Sequence, residues 1–176
     1  MIAQQRPPTF QRGREEDRNP RFLVDLNVGR LAKWLRAIGY DAAFRPEADD
    51  GELVRLAMRE GRVLLTKDTR LVLRRVITSG RLPALLVRGD DVREQLRYVM
   101  SRTGIALDEK RLFSRCIECN ATLAERPKAA VAGRVPPYVL LTQEQFMECP
   151  SCCKLYWRGT HWGNMRLELS RVAEAG

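Results

Sequence analysis

The chain has 176 residues, enough for one medium domain or for a domain of about 100 residues with a small appendage. Its hydrophobic fraction of 44% is that of an ordinary soluble protein. No run reaches the roughly 18–20 apolar residues of a membrane span, and residues 1–20 lack the apolar centre of a signal peptide, so a cytoplasmic protein is expected. Net charge is +9, from 31 Lys+Arg against 22 Asp+Glu. Such a basic surface draws polyanions, and nucleic acid is the commonest.

In chain order, residues 1–20 are rich in Arg, Pro and Gln without helical or strand period, and read as a flexible basic arm. Phe22–Val24 is a short apolar run suited to a buried strand, and it ends on Asp25. Val28, Leu31, Ala32, Leu35 and Ile38 recur at helical spacing, and Gly39 ends that helix. Arg30, Lys33 and Arg36 lie off the apolar stripe, either as a basic face for a phosphate backbone or as a solvated face. Tyr40–Phe44 is a weaker strand. An acidic loop over 47–52 leads into a second helix through Leu53, Leu56 and Ala57, ending near Gly61.

Arg62–Thr66 is the clearest strand, closed by Lys67 and Asp68. A third helix is expected through Leu71, Val72, Val76 and Ile77, stopping at Gly80. Leu82–Val87 is a fourth strand ending at Asp90 and Asp91, and a fourth helix runs from about Val92 to Arg102. Alternating strands and helices specify an α/β fold with a parallel sheet and right-handed crossovers. The periodicity stops near Phe113 and the cysteines begin at Cys116, which divides the chain into units 21–113 and 114–176.

In an open parallel sheet, ligands bind beyond the carboxyl ends of the strands. Asp25, Asp68 and Asp90 or Asp91 follow strands, and Asp50 can join them from the acidic loop. Clustered carboxylates repel unless neutralised, and hard oxygen ligands suit Mg²⁺ or Mn²⁺. Such ions activate water and steady the leaving oxygen of a phosphodiester. The sole histidine, His161, is remote in sequence from these acids. Each acid also has a structural role open to it. Asp50, Asp90 or Asp91 can cap helices, Asp49 reads as a solvated loop acid, and Asn27 and Thr66 can orient a carboxylate or simply end their elements. Asp25 closes a buried strand, where an unpartnered charge is costly.

Cys116-x-x-Cys119 and Cys149-x-x-Cys152 form two knuckles. Residues 120–148 separate them, more than the usual zinc-site gap of about 15–20 residues. Four thiolates bind Zn²⁺ tetrahedrally with no open position, so the site is structural and supplies folding energy to a module with little core. Cys153 is a bystander or a substitute for Cys152. Tyr156, Trp157, Arg158, His161 and Trp162 mix aromatics with positive charge, which suits single-stranded nucleic acid, or else form the ribbon's own small core.

Taken together, Asp25-x-Asn27-x-Gly-Arg-Leu-Ala-Lys-Trp-Leu-Arg36, Asp50-x-Glu-Leu53 and Gly61-Arg-Val-Leu-Leu-Thr-Lys-Asp68 resemble the PIN-like ribonuclease domains. Cys116-x-x-Cys-Asn120, Arg134-Val-Pro-Pro137, Cys149-Pro-x-Cys152 and Tyr156-Trp-Arg-Gly-Thr-His-Trp162 resemble a fused zinc ribbon. The combination is similar to the mut-7 C-terminal RNase family over about Phe22 to Arg171. The resemblance implies a PIN-like parallel sheet flanked by helices over 21–113, a C-terminal four-cysteine zinc ribbon over 114–176, and metal-dependent RNA cleavage. It also implies Asp25, Asp50 and Asp68 as the acidic Mg²⁺ or Mn²⁺ site, with Asp90 as a fourth acid in preference to Asp91. Asp50 stands where many PIN nucleases carry Glu, which leaves the role of Glu52 open. Cys153 stands where the family usually has Gly.

The expected function is therefore a divalent-metal-dependent ribonuclease with a structural zinc ribbon that aids RNA binding. RNA is the partner, contacted through Arg30, Lys33, Arg36, Lys67, Arg158 and His161. The alternative is a catalytically inactive RNA-binding zinc-ribbon module. A phosphoacceptor domain is disfavoured, because no Asp-x-Asp follows the first strand.

Overall fold

A computed structural model describes residues 19–174. The expected arm therefore lies outside the described residues, apart from Asn19 and Pro20. Four parallel strands, β1 (Phe22–Val24), β2 (Ala42–Phe44), β3 (Val63–Thr66) and β4 (Ala84–Leu86), form one sheet in the order β2-β1-β3-β4. Chain order reverses between β1 and β3, which makes that pair the topological switch point of the sheet.

Successive side chains of a strand point to opposite faces, and here both faces are covered. Phe22, Val24, Val63 and Leu65 pack on α1 (Arg30–Ala37) and α4 (Val92–Thr103). Leu23 and Leu64 point the other way, onto Leu53 and Ala57 of α2 (Asp50–Glu60) and onto Leu71 and Leu82. The stripe Val28, Leu31, Ala32, Leu35 and Ile38 is buried as its spacing requires. Gly39 adopts φ +86°, and a Cβ there would collide with the carbonyl oxygen of Arg111.

Two local expectations are corrected. The third helix is broken, because Arg74 is extended (φ −59°, ψ 137°) between a 3-10 turn, Leu71–Leu73, and the short α3 (Arg75–Thr78). Asp49 is not merely solvated. It caps α2 in a reciprocal box with Glu52, each side chain bonding the other's backbone N–H at 2.8 and 3.1 Å. That box is the role of Glu52.

Beyond Phe113 lie α5 (Lys128–Val131), α6 (Pro137–Thr142) and an antiparallel sheet of β5 (Ala124–Arg126), β6 (Phe146–Glu148) and β7 (Leu155–Trp157). The chain closes on α7 (Thr160–Glu174). Leu169 and Val172 of α7 are buried in the same core cluster as Phe22, Val24 and Leu31. Arg93 of α4 pairs with Glu168 of α7. No helix among the described residues is long and apolar enough to cross a membrane.

Candidate active site and metal centre

Register decides what meets at the switch point. Val24 pairs with Leu65, so the next residues along, Asp25 and Thr66, lie side by side at the carboxyl end of the sheet. Both are buried, at 8% and 0% exposure. The Thr66 hydroxyl donates to Asp25 Oδ2 at 2.6 Å. Asn27 Nδ2 donates to the same oxygen at 2.7 Å, and the Leu26 N–H donates to Asp25 Oδ1 at 2.6 Å. Three donors thus offset the desolvation of this carboxylate. Asn27 in turn accepts from the Lys67 N–H at 2.9 Å and spans the two strand ends.

Asp68 is tied to the same hydroxyl, its N–H donating to Thr66 Oγ1 at 2.9 Å. Its Oδ1 accepts from the N–H groups of Arg70 and Leu71 at 2.7 and 3.2 Å, and these bonds hold Asp68 below the usual carboxylate range. The other two candidate acids make no hydrogen bond to Asp25, Thr66 or Asp68 among the described residues. Asp50 lies in an exposed ion pair with Arg74 at 3.2 Å. Asp90 is exposed on the wall of the cleft described below, while its neighbour Asp91 caps α4 through the N–H groups of Arg93 and Glu94. No three carboxylates among the described residues draw together as closely as the cysteines do.

The Sγ atoms of Cys116, Cys119, Cys149 and Cys152 all lie within 4.8 Å of one another. The two knuckles share one geometry. In each, the second cysteine's N–H points to the first cysteine's Sγ, at 3.5 and 3.4 Å. In each, the residue after the second cysteine, Asn120 or Cys153, adopts positive φ and donates its N–H to the first cysteine's carbonyl at 2.9 Å. Cys153 is therefore the counterpart of Asn120 in its knuckle and lies outside the four-sulfur set, which answers the question its sequence position raised. Burial opposes ionisation of Cys116, but the Tyr156 hydroxyl at 3.0 Å and the knuckle N–H groups outweigh it and bring Cys116 down to about 6. An N–H from Ala121 favours the Cys119 thiolate, yet burial and the neighbouring thiols push it up to about 12. Four such sulfurs in contact fit a Zn²⁺ ion, whose charge would let all four ionise.

Between the two lobes runs a cleft of about 1510 Å³. The lobe built on the parallel sheet contributes Asn27, Arg30, Lys33, Trp34 and Lys67, and the side that carries the cysteine knuckles contributes Tyr156, Trp157, Arg158 and Trp162. Lys33 is also paired to Glu118 at 2.8 Å. Arg36 does not belong to this surface. It is 5% exposed, and its guanidinium donates to the main-chain oxygens of Ala42, Ile117 and Glu118 at 2.8, 2.9 and 2.7 Å. Expecting it on an RNA-facing surface is corrected by that burial. The His161 side chain lies outside the described residues.

Residues 20–169 match the family described as the Mut7-C RNAse domain. The chain belongs to that family. No curated protein and no solved structure matches it. Membership makes the chain a nuclease-type protein. Sequence reasoning passed over Trp34. Its signal was present, because Trp34 follows Arg30 by four residues on one helix and so shares its face.

Proposed function

We propose that the chain is a divalent-metal-dependent ribonuclease that hydrolyses RNA phosphodiesters in the cytoplasm, with its zinc ribbon contributing to RNA binding. The observation that carries this reading is the buried Asp25 carboxylate at the switch point, joined through Asn27 and Lys67 to a cleft with basic and aromatic walls. Three protein donors occupy Asp25 and leave lone-pair capacity free, and Asp68 Oδ2 accepts nothing among the described residues. Mg²⁺ is held by one or two carboxylates and keeps several waters, so Asp25 and Asp68 fit it. When bound, the ion supplies charge stabilisation at the phosphate and a nucleophile at neutral pH. Thr66 and Asn27 orient Asp25. Lys67 and Arg30 offer cations to the phosphates. Asp50 and Asp90 are left as outer acids, Asp50 through its ion pair with Arg74.

The second reading, an inactive RNA-binding module, draws on the absence of a tight three-carboxylate cluster among the described residues. One experiment separates them. Purified protein is incubated with labelled RNA in Mg²⁺, in Mn²⁺ or without added divalent ion, beside Asp25→Asn and Asp68→Asn. Metal-dependent cleavage lost in both variants is the expected result. Cleavage unchanged in the variants marks a contaminant, and binding without cleavage selects the second reading.

A further inference from the structure

The chain has three tryptophans, and all three line the one cleft. Trp34 stands on α1, one turn beyond Arg30. Trp157 lies on β7, with part of its ring packed on the ribbon core around Phe146. Trp162 lies near the start of α7 against Phe113, with ring centroids 5.4 Å apart. The guanidinium carbons of Arg158 and Arg166 sit 5.5 and 5.6 Å from the Trp162 ring centroid. Trp34, Trp157 and Trp162 are each only half-buried, so part of every ring faces the space between the lobes. Among the described residues, Arg30, Lys67, Lys110 and Arg158 also line the cleft without a carboxylate partner.

Exposed indole rings beside unpaired cations match unstacked bases on a phosphate backbone. A duplex keeps its base faces stacked on one another and offers none to these rings. The cleft is also larger than the roughly 300–1,000 Å³ of a small-molecule site, which suits several consecutive nucleotides. We infer that this cleft is a binding site for single-stranded RNA. Trp34 and Trp162 stack bases from opposite lobes, and Arg30 and Lys67 lead the backbone toward the Asp25 edge. The inference rests on the ribonuclease reading of that edge and adds the strandedness of the substrate.

The test uses full-length Asp25→Asn protein in buffer without added divalent ion or chelator, so that zinc stays bound and no RNA is consumed. A single-stranded oligonucleotide and its fully paired duplex are titrated by anisotropy, with tryptophan fluorescence read in parallel. Expected are quenching by the single strand, weaker binding of the duplex, and a loss of about five- to a hundredfold on adding Trp34→Ala. Trp34→Phe retains most of the affinity, and Lys67→Ala weakens binding with a shallower salt slope, which separates stacking and charge from misfolding. Equal affinity for duplex and single strand, or wild-type affinity in Trp34→Ala and Trp162→Ala alike, overturns the inference. So does fluorescence that is already quenched and is released by deleting residues 1–18, since that assigns the cleft to the chain's own N-terminal segment. Failure of the parent protein to cleave leaves this binding result standing, so the two readings fail separately.

Discussion

The guanidinium of Arg36 donates to the main-chain oxygen of Glu118 at 2.7 Å, binding a helix of the nuclease lobe to the first cysteine knuckle through a buried cation. The same side chain satisfies Ile117 and Ala42. Asn120 completes the joint, accepting from the Ala42 N–H at 3.0 Å and donating to Asp41 at 2.7 Å. Arg36→Ala orphans three carbonyls and is expected to cost about 3 kcal/mol in urea unfolding. Arg36→Lys recovers little, because a point charge cannot reach three carbonyls as a fork does. Metal analysis should return about one zinc per chain. Stripping that zinc should also weaken protection of α1 amides in hydrogen exchange, since the knuckle supplies the carbonyls that Arg36 holds. Unaltered α1 protection in the stripped protein would sink the coupling.

Thr66 is the hinge between the two strand-end acids. Thr66→Val keeps the shape and removes one donor to Asp25 and one acceptor for the Asp68 N–H. Ribonuclease turnover is expected to fall about 10–100-fold, as for lost groups that orient ligands, with KM for RNA little changed. Thr66→Ser, which keeps the hydroxyl, should recover most of it.

Asp41 sets an acid limit on stability. Burial pushes its carboxyl upward, but hydrogen bonds from Arg62 at 2.6 Å and from Asn120 outweigh burial and hold it below its ordinary 3.8. A carboxyl lowered on folding adds stability that is full above the ordinary value and is lost as pH falls through the native one. Asp41→Asn should therefore cost about 2 kcal/mol at neutral pH. That gap from the wild type should close between about pH 5 and pH 2, measured by urea titration. A gap independent of pH would show that packing, not charge, holds Asp41.

Cys153 holds φ +57° at the end of its knuckle, where a Cβ is disfavoured. Cys153→Gly should stabilise the zinc-loaded protein by about 0.5–1 kcal/mol, the relief of strain less the entropy of a freer unfolded chain. Zinc stoichiometry should not change, since Cys153 lies outside the sulfur set. Loss of zinc in this variant would make Cys153 a ligand after all.

The strands, the helix stops and the cysteine pairs were legible because each is written in neighbouring residues. Phe22–Val24 and 63–65 are continuous apolar runs, Gly39 and Gly61 supply left-handed turns after helices, and Cys-x-x-Cys spacing matches one knuckle. Arg36 could not be read this way. Its place beside the buried stripe looks like any solvated helix face until residues 117 and 118 bring unsatisfied carbonyls to it. The cap of α2 falls on Asp49 and not on Asp50, and neighbouring residues of one type differ only in which of them is extended.

By itself, then, the sequence determined the α/β alternation, the acid at the end of each main strand and the two cysteine pairs, since periodicity and short spacings are local quantities. Only the tertiary structure decided that Asp25 meets Thr66, that α7 returns to the first core, and that three tryptophans far apart in the chain face one cleft. Those facts depend on strand order and on how two lobes dock. Strand order and docking are set by the summed burial of residues distant in sequence, which no single stretch encodes.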